Sequence, residues 1–366
     1  MVKKDHIVQA AFLELLHAGL WETDVKKKEL FPLLPEQWRS LWLLAKKQTV
    51  AGLVYQGLQY LPEKCWPEDA DLLMEWTVYI DQIERENRLQ NQCITRLVRL
   101  FETLNIRPVL QKGQGVAVMY GNPLLRECGD IDWYFPDSGQ AAKALSLIQK
   151  QGCVPRKRAD ASYFYRYHSV TIEHHDVLID VSSPFAKRRL KAMEHDWGFE
   201  KIRLEESETT VWVPVPVMNL LLLNIHILKH AMGRGIGIRQ FCDLARAYSY
   251  YEGKYNPEEL RSTLKNIGLL KWTGLLHQFL VTVLGMPQSL LPFRDYLDSD
   301  VTGLRNLVFR GGNFGLYHSH QAKTKSRLSS KIAVLRAYMA QLNFSRTYVS
   351  SEIGWAVWNL IKGQFK

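Results

Sequence analysis

Hydrophobic spacing changes twice along this chain, and those changes limit its fold more than any other feature. Through residues 1 to about 105 apolar side chains recur every three or four positions, as at Ile7, Ala11, Leu15 and Leu16 and again at Leu72, Leu73, Trp76, Ile80 and Ile83. That repeat is the signature of amphipathic helices. Pro32, Pro35, Pro62 and Pro67 punctuate the region, and residues 81–104 read as one long helix. From about 106 to 185 the pattern shortens. A brief extended run at 107–111 is broken by Gly113 and Gly115, and residues 116–120 suit a short helix. Residues 130–135 alternate as a strand does. Ser138 can cap a helix that Gly152 stops near residue 151. Strands are expected near 163–167 and 170–174. A turn at His175-Asp176 then leads to a further strand at 177–181. From about 186 to 366 helical spacing returns, with helices expected over 219–232, 238–251, 257–267, 270–285 and 328–342. The predicted class is α+β: a small mixed β-sheet core at 106–185, flanked by an N-terminal helical region (1–105) and a C-terminal helical region (186–366).

At 366 residues, with 46% hydrophobic and 23% charged side chains, the chain can bury a large core without disulfides or structural metal. Its five cysteines are odd in number and contain no Cys-x-x-Cys pair. A disulfide framework and a zinc ribbon are therefore disfavoured, and a cytoplasmic setting is expected. The N-terminus does not read as a signal peptide. The most apolar stretch, 211–228, is broken by Pro214, Pro216, Asn219, Asn224 and His226, so a buried helix with a Pro-rich lead-in is expected rather than a membrane span. A formal charge of +10 is compatible with a nucleic-acid partner. Its basic residues are spread in modest clusters, at Lys26-Lys27-Lys28, Arg156-Lys157-Arg158, Lys187-Arg188-Arg189 and 323–327. That spread favours a generally basic surface.

Chemistry is concentrated in Lys112-Gly113-Gln114-Gly115 and Gly129-Asp130-Ile131-Asp132. On a strand, residues i and i+2 share a face. Asp130 and Asp132 therefore point together while Ile131 turns inward. Paired carboxylates call for a cation, and Mg²⁺ or Mn²⁺ with the phosphates of a nucleoside triphosphate suits them. Asp180, in the apolar run 177–181, is expected to be the third carboxylate, because a buried aspartate is costly without a partner. Three such groups can hold the metal for in-line phosphoryl chemistry. Upstream, the glycine-broken turn at Gly113-Gln114 can present backbone N–H groups to phosphate, with Lys112 adding positive charge.

The pattern Lys112-Gly113, Tyr120, Arg126 and Gly129-Asp-Ile-Asp132 resembles the uncharacterised nucleotidyltransferase family of bacteria, placed in the polymerase-beta-like superfamily. His226-Ile-Leu-Lys-His230, Ile238-Arg239-Gln240 and Asp243-Leu-Ala245 resemble that family's helical C-terminal half. The resemblance covers about residues 45–310, and only the central motif is specific. It implies a metal-dependent enzyme that binds ATP or another nucleoside triphosphate and transfers a nucleoside monophosphate to a hydroxyl, releasing pyrophosphate. The acceptor is open: a small molecule, a protein or a nucleic acid end. One departure stands out, since Gln114 occupies the place of the superfamily's usual serine. A catalytically silent nucleotide- or partner-binding member of the same fold is the alternative that this departure supports; a basic nucleic-acid-binding protein is another.

Arg126 is a candidate phosphate contact, set against a loop-organising pair with Glu127. His226 and His230 share a helix face, but zinc lacks a third ligand of convincing spacing; contacts of His230 and Arg239 to phosphate or base are the better functional expectation. Asp243 can simply pair with Arg239 one turn away, and His174 with His175 reads as a polar hairpin tip. No Ser/His/Asp triad, P-loop or Gly-x-Gly-x-x-Gly motif is present, which disfavours serine hydrolases, P-loop kinases and Rossmann dehydrogenases.

Overall fold

The computed structural model describes residues 2–158, 161–233, 235–311, 347–349, 352, 354–356 and 358–359. The helix expected at 328–342 lies outside the described residues. The chain forms two compact units. One comprises Met1–Leu43, Val50–Leu178 and Trp197–Val215, and the other Leu44–Thr49, Ile179–Asp196 and Pro216–Lys366.

Four helices open the chain: α1 (Val2–Trp21), α2 (Pro35–Lys47), α3 (Ala51–Leu58) and α4 (Ala70–Glu102). Helices α1 and α3 approach so closely that a Cβ added to Gly19 would lie 1.9 Å from the Leu53 carbonyl oxygen. Only glycine allows that packing. Asp69 caps α4 by accepting from the Leu72 N–H. Trp76, Ile80, Ile83, Ile94, Leu97 and Phe101 make its buried stripe, at the three- and four-residue spacing that the sequence shows.

There follow β1 (Val109–Gln111), α5 (Gly113–Ala117), β2 (Ile131–Tyr134), α6 (Ser138–Lys150), β3 (Arg156–Lys157), β4 (Tyr163–Tyr167) and β5 (Val170–His175). Then come α7 (Pro184–Trp197), β6 (Phe199–Arg203) and β7 (Thr210–Pro214). The described strands form one mixed sheet in the order β3-β4-β5-β2-β1-β7-β6. Strand β2 runs antiparallel to β1 and parallel to β5, and β1 runs parallel to β7. One face of the sheet, through Leu110, Ile131, Trp133 and Ile172, packs with Ile94, Leu97 and Phe101 of α4 and with Ala144 and Ile148 of α6. Each large apolar side chain so buried contributes roughly 1.5–3 kcal/mol. By strand alternation, Gln111, Asp132, Glu173 and His175 point to the other face.

The mixed α+β architecture agrees with the sequence-based expectation, and two strand assignments are corrected. No strand forms at 177–181, which is irregular between β5 and α7. Its apolar Leu178, Ile179 and Val181 are buried as a loop. Both neighbours of β2 are already in place, and Pro184 opens a helix directly afterwards. Conversely, β6 and β7 fall within the stretch expected to be helical. Thr210–Pro214 is short and runs straight into an apolar helix, so its period of two is masked.

In the second unit lie α8 (Pro216–Met232), α9 (Arg239–Tyr250), α10 (Pro257–Asn266), α11 (Leu270–Leu284) and α12 (Thr302–Gly311). Helix α8 is buried over most of its length. Two of its buried amides donate across to neighbouring helices: Asn219 to the Tyr251 hydroxyl at 2.9 Å and Asn224 to the Thr273 hydroxyl at 3.0 Å. No helix among the described residues is long and apolar enough to cross a membrane.

Candidate functional site

Three strands bring polar side chains into one row. Gln111 on β1 and Glu173 on β5 are the direct partners of Asp132 on β2. All three are buried, which for the two carboxylates is unusual without compensating charge. Two residues beyond Glu173, His175 returns to the same face. Its Nε2 lies 2.7 Å from Asp132 Oδ1, while Lys112 Nζ lies 3.2 Å from Asp132 Oδ2. Glu173 is held on its other side by Arg158 at 2.5 Å. Asp130 precedes β2 by one residue, is half-buried, and its charge acts on both Lys112 and Glu173.

Lys112 reaches Asp132 because the backbone between β1 and α5 turns abruptly. Its φ of 47° and ψ of −142° place a non-glycine residue in a region that costs about 1–3 kcal/mol. Gly113 follows with a φ of 42°, which glycine adopts freely. The turn expected from the glycines is therefore present, and its strain falls on the lysine that contacts the acid.

A buried amide network from α4 braces this turn and the loop before β2. Asn87 donates to the carbonyls of Leu124 at 2.6 Å and Arg126 at 2.9 Å. Gln114 in turn donates to Asn87 Oδ1 at 2.8 Å and to Gln90 Oε1 at 3.3 Å. The Gln114 side-chain amide is thus committed to holding α5 on α4. Arg126 is buried and donates to Cys128 Sγ, and Glu127 accepts from the Ala51 N–H at 2.7 Å.

The charges are strongly interdependent. Burial alone would raise the Asp132 carboxyl, but Lys112 and His175 outweigh it and hold Asp132 well below the usual carboxylate range. Burial would lower the Lys112 ammonium, yet Asp132, Asp130 and Glu173 raise it. Glu173 moves the other way: burial, then Asp130 and Asp132, push it up to about 7 against the pull of Arg158 and His175. A carboxylate so disfavoured is one that a cation would stabilise. Asp132, Glu173 and His175 each offer a ligand atom within 4.8 Å of the others, the one such group of three among the described residues. Two carboxylates fit Mg²⁺, and the imidazole nitrogen widens the fit toward Mn²⁺.

Of the residues expected from the sequence, Asp130, Asp132, Lys112 and Gly113 come together here, with Gln114 and Arg126 in the supporting shell. Asp180 belongs to the other unit, where it is exposed and pairs with Lys229. His230 and Arg239 are in that unit too, and the His226 and His230 rings on α8 meet at a centroid distance of 4.4 Å. Sequence reasoning missed Glu173 and His175. The signal was present: Val170-Thr-Ile-Glu-His-His175 alternates, so an acid and a histidine share one face. His174 turns to the opposite, apolar face, where it meets the Tyr165 hydroxyl at 2.9 Å.

The sheet thus carries on one face a strand-borne group, Asp132, Glu173 and His175, that could hold a metal ion. The chain belongs to the uncharacterised nucleotidyltransferase family, whose model matches residues 35–285. No curated protein matches significantly. Among solved structures, a nucleotidyltransferase-like antigenic protein from Paracoccidioides brasiliensis is similar at 15% identity over 56% of this chain and 93% of that chain, with a TM-score of 0.31.

Proposed function

We propose that this protein is a divalent-metal-dependent nucleotidyltransferase of the polymerase-beta-like kind. It would move a nucleoside monophosphate from a nucleoside triphosphate to a hydroxyl acceptor. The observation that carries this reading is the pairing of Asp132 with Glu173 across parallel strands, in a chain of a nucleotidyltransferase family. We assign Asp130, Asp132 and Glu173 as the metal-binding carboxylates, Glu173 taking the part that sequence spacing suggested for Asp180. His175 supplies a fourth ligand or orients Asp132.

A bound Mg²⁺ or Mn²⁺ would act as Lewis acid toward the triphosphate and the acceptor hydroxyl. The acceptor oxygen forms a bond to the α-phosphorus, the bond from that phosphorus to the bridging oxygen breaks, pyrophosphate leaves, and the hydroxyl proton passes to solvent. The protein's own contribution is placement and charge. Lys112 sets one oxygen of Asp132 and offers an ammonium to phosphate. Asn87 and Gln114 fix the turn and the loop that carry Lys112 and Asp130. Rigid placement of this kind is a major part of phosphoryl-transfer catalysis. His230 and Arg239 are proposed contacts to nucleotide or acceptor.

One observation favours a second reading, nucleotide binding without turnover: the Gln114 amide, at the superfamily's serine position, is occupied by Asn87 and Gln90. Incubation with each labelled triphosphate and Mg²⁺ or Mn²⁺, following pyrophosphate release and label transfer, separates the two. Turnover abolished in Asp132→Asn supports the transferase. Metal-dependent binding without pyrophosphate release supports the silent member, and a folded protein that binds no triphosphate contradicts both.

A further inference from the structure

Helix α7 is charged against its own dipole. Lys187, Arg188 and Arg189 crowd its first half and Lys191 follows, while Glu194 and Asp196 lie near its end. Helix stability alone favours the reverse arrangement, by about 0.3–1 kcal/mol per charge. The N–H groups at its start are met by acceptors instead, the Glu352 carboxylate accepting from the Ser182 and Ser183 N–H groups and the Ser183 hydroxyl from the Ala186 N–H. Lys191 is paired with Glu194 at 2.8 Å. Lys187, Arg188 and Arg189 have no carboxylate partner among the described residues, and all three are exposed.

The same side of the helix carries aromatic surface. Phe185, Arg188 and Arg189 stand at i, i+3 and i+4 and so face one way. Phe185 is 76% exposed, and its ring meets Trp355 edge-on at 6.0 Å. Trp358, 55% exposed, adds a further ring in the same unit. Ala186 and Leu190, the apolar residues of α7, are turned inward and buried. A membrane-surface helix does the opposite, directing a broad apolar face outward.

We infer that this basic, aromatic face of α7 binds single-stranded nucleic acid, its cations following the phosphates and its rings stacking on bases. The charge complementarity is local, and the formal charge of +10 adds a general attraction. The inference stands on α7 and its neighbours and does not depend on the transferase reading.

The test is fluorescence anisotropy of a labelled single-stranded RNA of about 20 nucleotides with the full chain, in EDTA, from about 50 to 200 mM salt. Wild type should bind with a log–log salt slope of about −1.4, at about −0.7 for each phosphate met by Arg188 and Arg189. Arg188→Glu/Arg189→Glu should weaken binding at least about tenfold and flatten the slope. Phe185→Ala should weaken it about fivefold or more, with the slope unchanged. Asp132→Asn should bind as wild type does, which separates this surface from the carboxylate site. No binding by wild type, or binding that both surface variants retain, overturns the inference. So does equal competition by polyglutamate, or binding only to vesicles containing an anionic phospholipid.

Discussion

Asp132 on β2 and Glu173 on β5 are direct partners across a parallel strand pair, with relative exposures of 7% and 6%. Two enclosed carboxylates side by side are tolerated because Lys112 and His175 hold one and Arg158 the other. The pair is held by side chains, and with His175 it forms a group that could take a metal ion.

Glu173→Gln separates catalysis from stability. Burial, with Asp130 and Asp132, raises Glu173 to about 7, so its charged form works against folding. A raised folded value means that its contribution is favourable below the ordinary 4.5 and lost as pH rises through 7. Metal-free Glu173→Gln should be at least as stable as wild type near pH 8, by about 0–2 kcal/mol after allowance for screening. Urea denaturation in EDTA checks this, and nucleotide transfer by the same variant should fall by about a thousandfold.

Lys112→Met should show the converse. Removing the ammonium leaves Asp132 with His175 alone among its direct partners and should cost about 3 kcal/mol in EDTA. Saturating Mn²⁺ should restore part of the loss, as a ligand that binds only the folded state does. A variant destabilised equally with and without metal would show that Lys112 does not share a cation site.

Asn87→Leu tests the amide network. The carbonyls of Leu124 and Arg126 lose their donor and Gln114 loses its acceptor, at a cost of about 2–4 kcal/mol. Thermal denaturation reads the loss. The variant should retain metal-dependent nucleotide binding while its turnover falls, because the residue positions the loop and does not touch substrate.

Acid sensitivity should come from two buried histidines. His277 bonds the Tyr248 hydroxyl at 3.0 Å, and burial lowers it to about 3. His174, lowered by burial and by His175, also falls to about 3. A depressed folded value means the neutral ring's contribution is complete above the ordinary 6.5 and is lost as pH falls toward 3. Each ring should cost about 1.4 kcal/mol per pH unit across that window. In the Glu173→Gln background, which removes the opposing titration of Glu173, His277→Gln should roughly halve the slope, measured by urea denaturation between about pH 7 and 5.

The strands bearing Asp132 and Glu173 were readable because each alternates and is bounded by turn residues. The long α4 was readable from its apolar stripe, although it begins at Ala70, well before the expected start. Asp180 drew attention because an acid amid Val177, Leu178, Ile179 and Val181 looks like a buried strand acid. Spacing cannot tell such a strand from a buried loop, and here the chain is turned into α7 at Pro184. Glu173 obeyed the same logic but was obscured by the adjacent histidines, which resemble a polar turn. The parallel pairing of β7 with β1 is a long-range choice that no local period encodes.

The most direct test is Mn²⁺ binding by calorimetry, with and without a nucleoside triphosphate, in wild type, Asp132→Asn, Glu173→Gln and Asp180→Asn. The account predicts that Asp132→Asn and Glu173→Gln lose metal-dependent nucleotide binding while Asp180→Asn keeps it. Wild-type binding by Glu173→Gln, with loss in Asp180→Asn, would contradict the assignment of the third carboxylate.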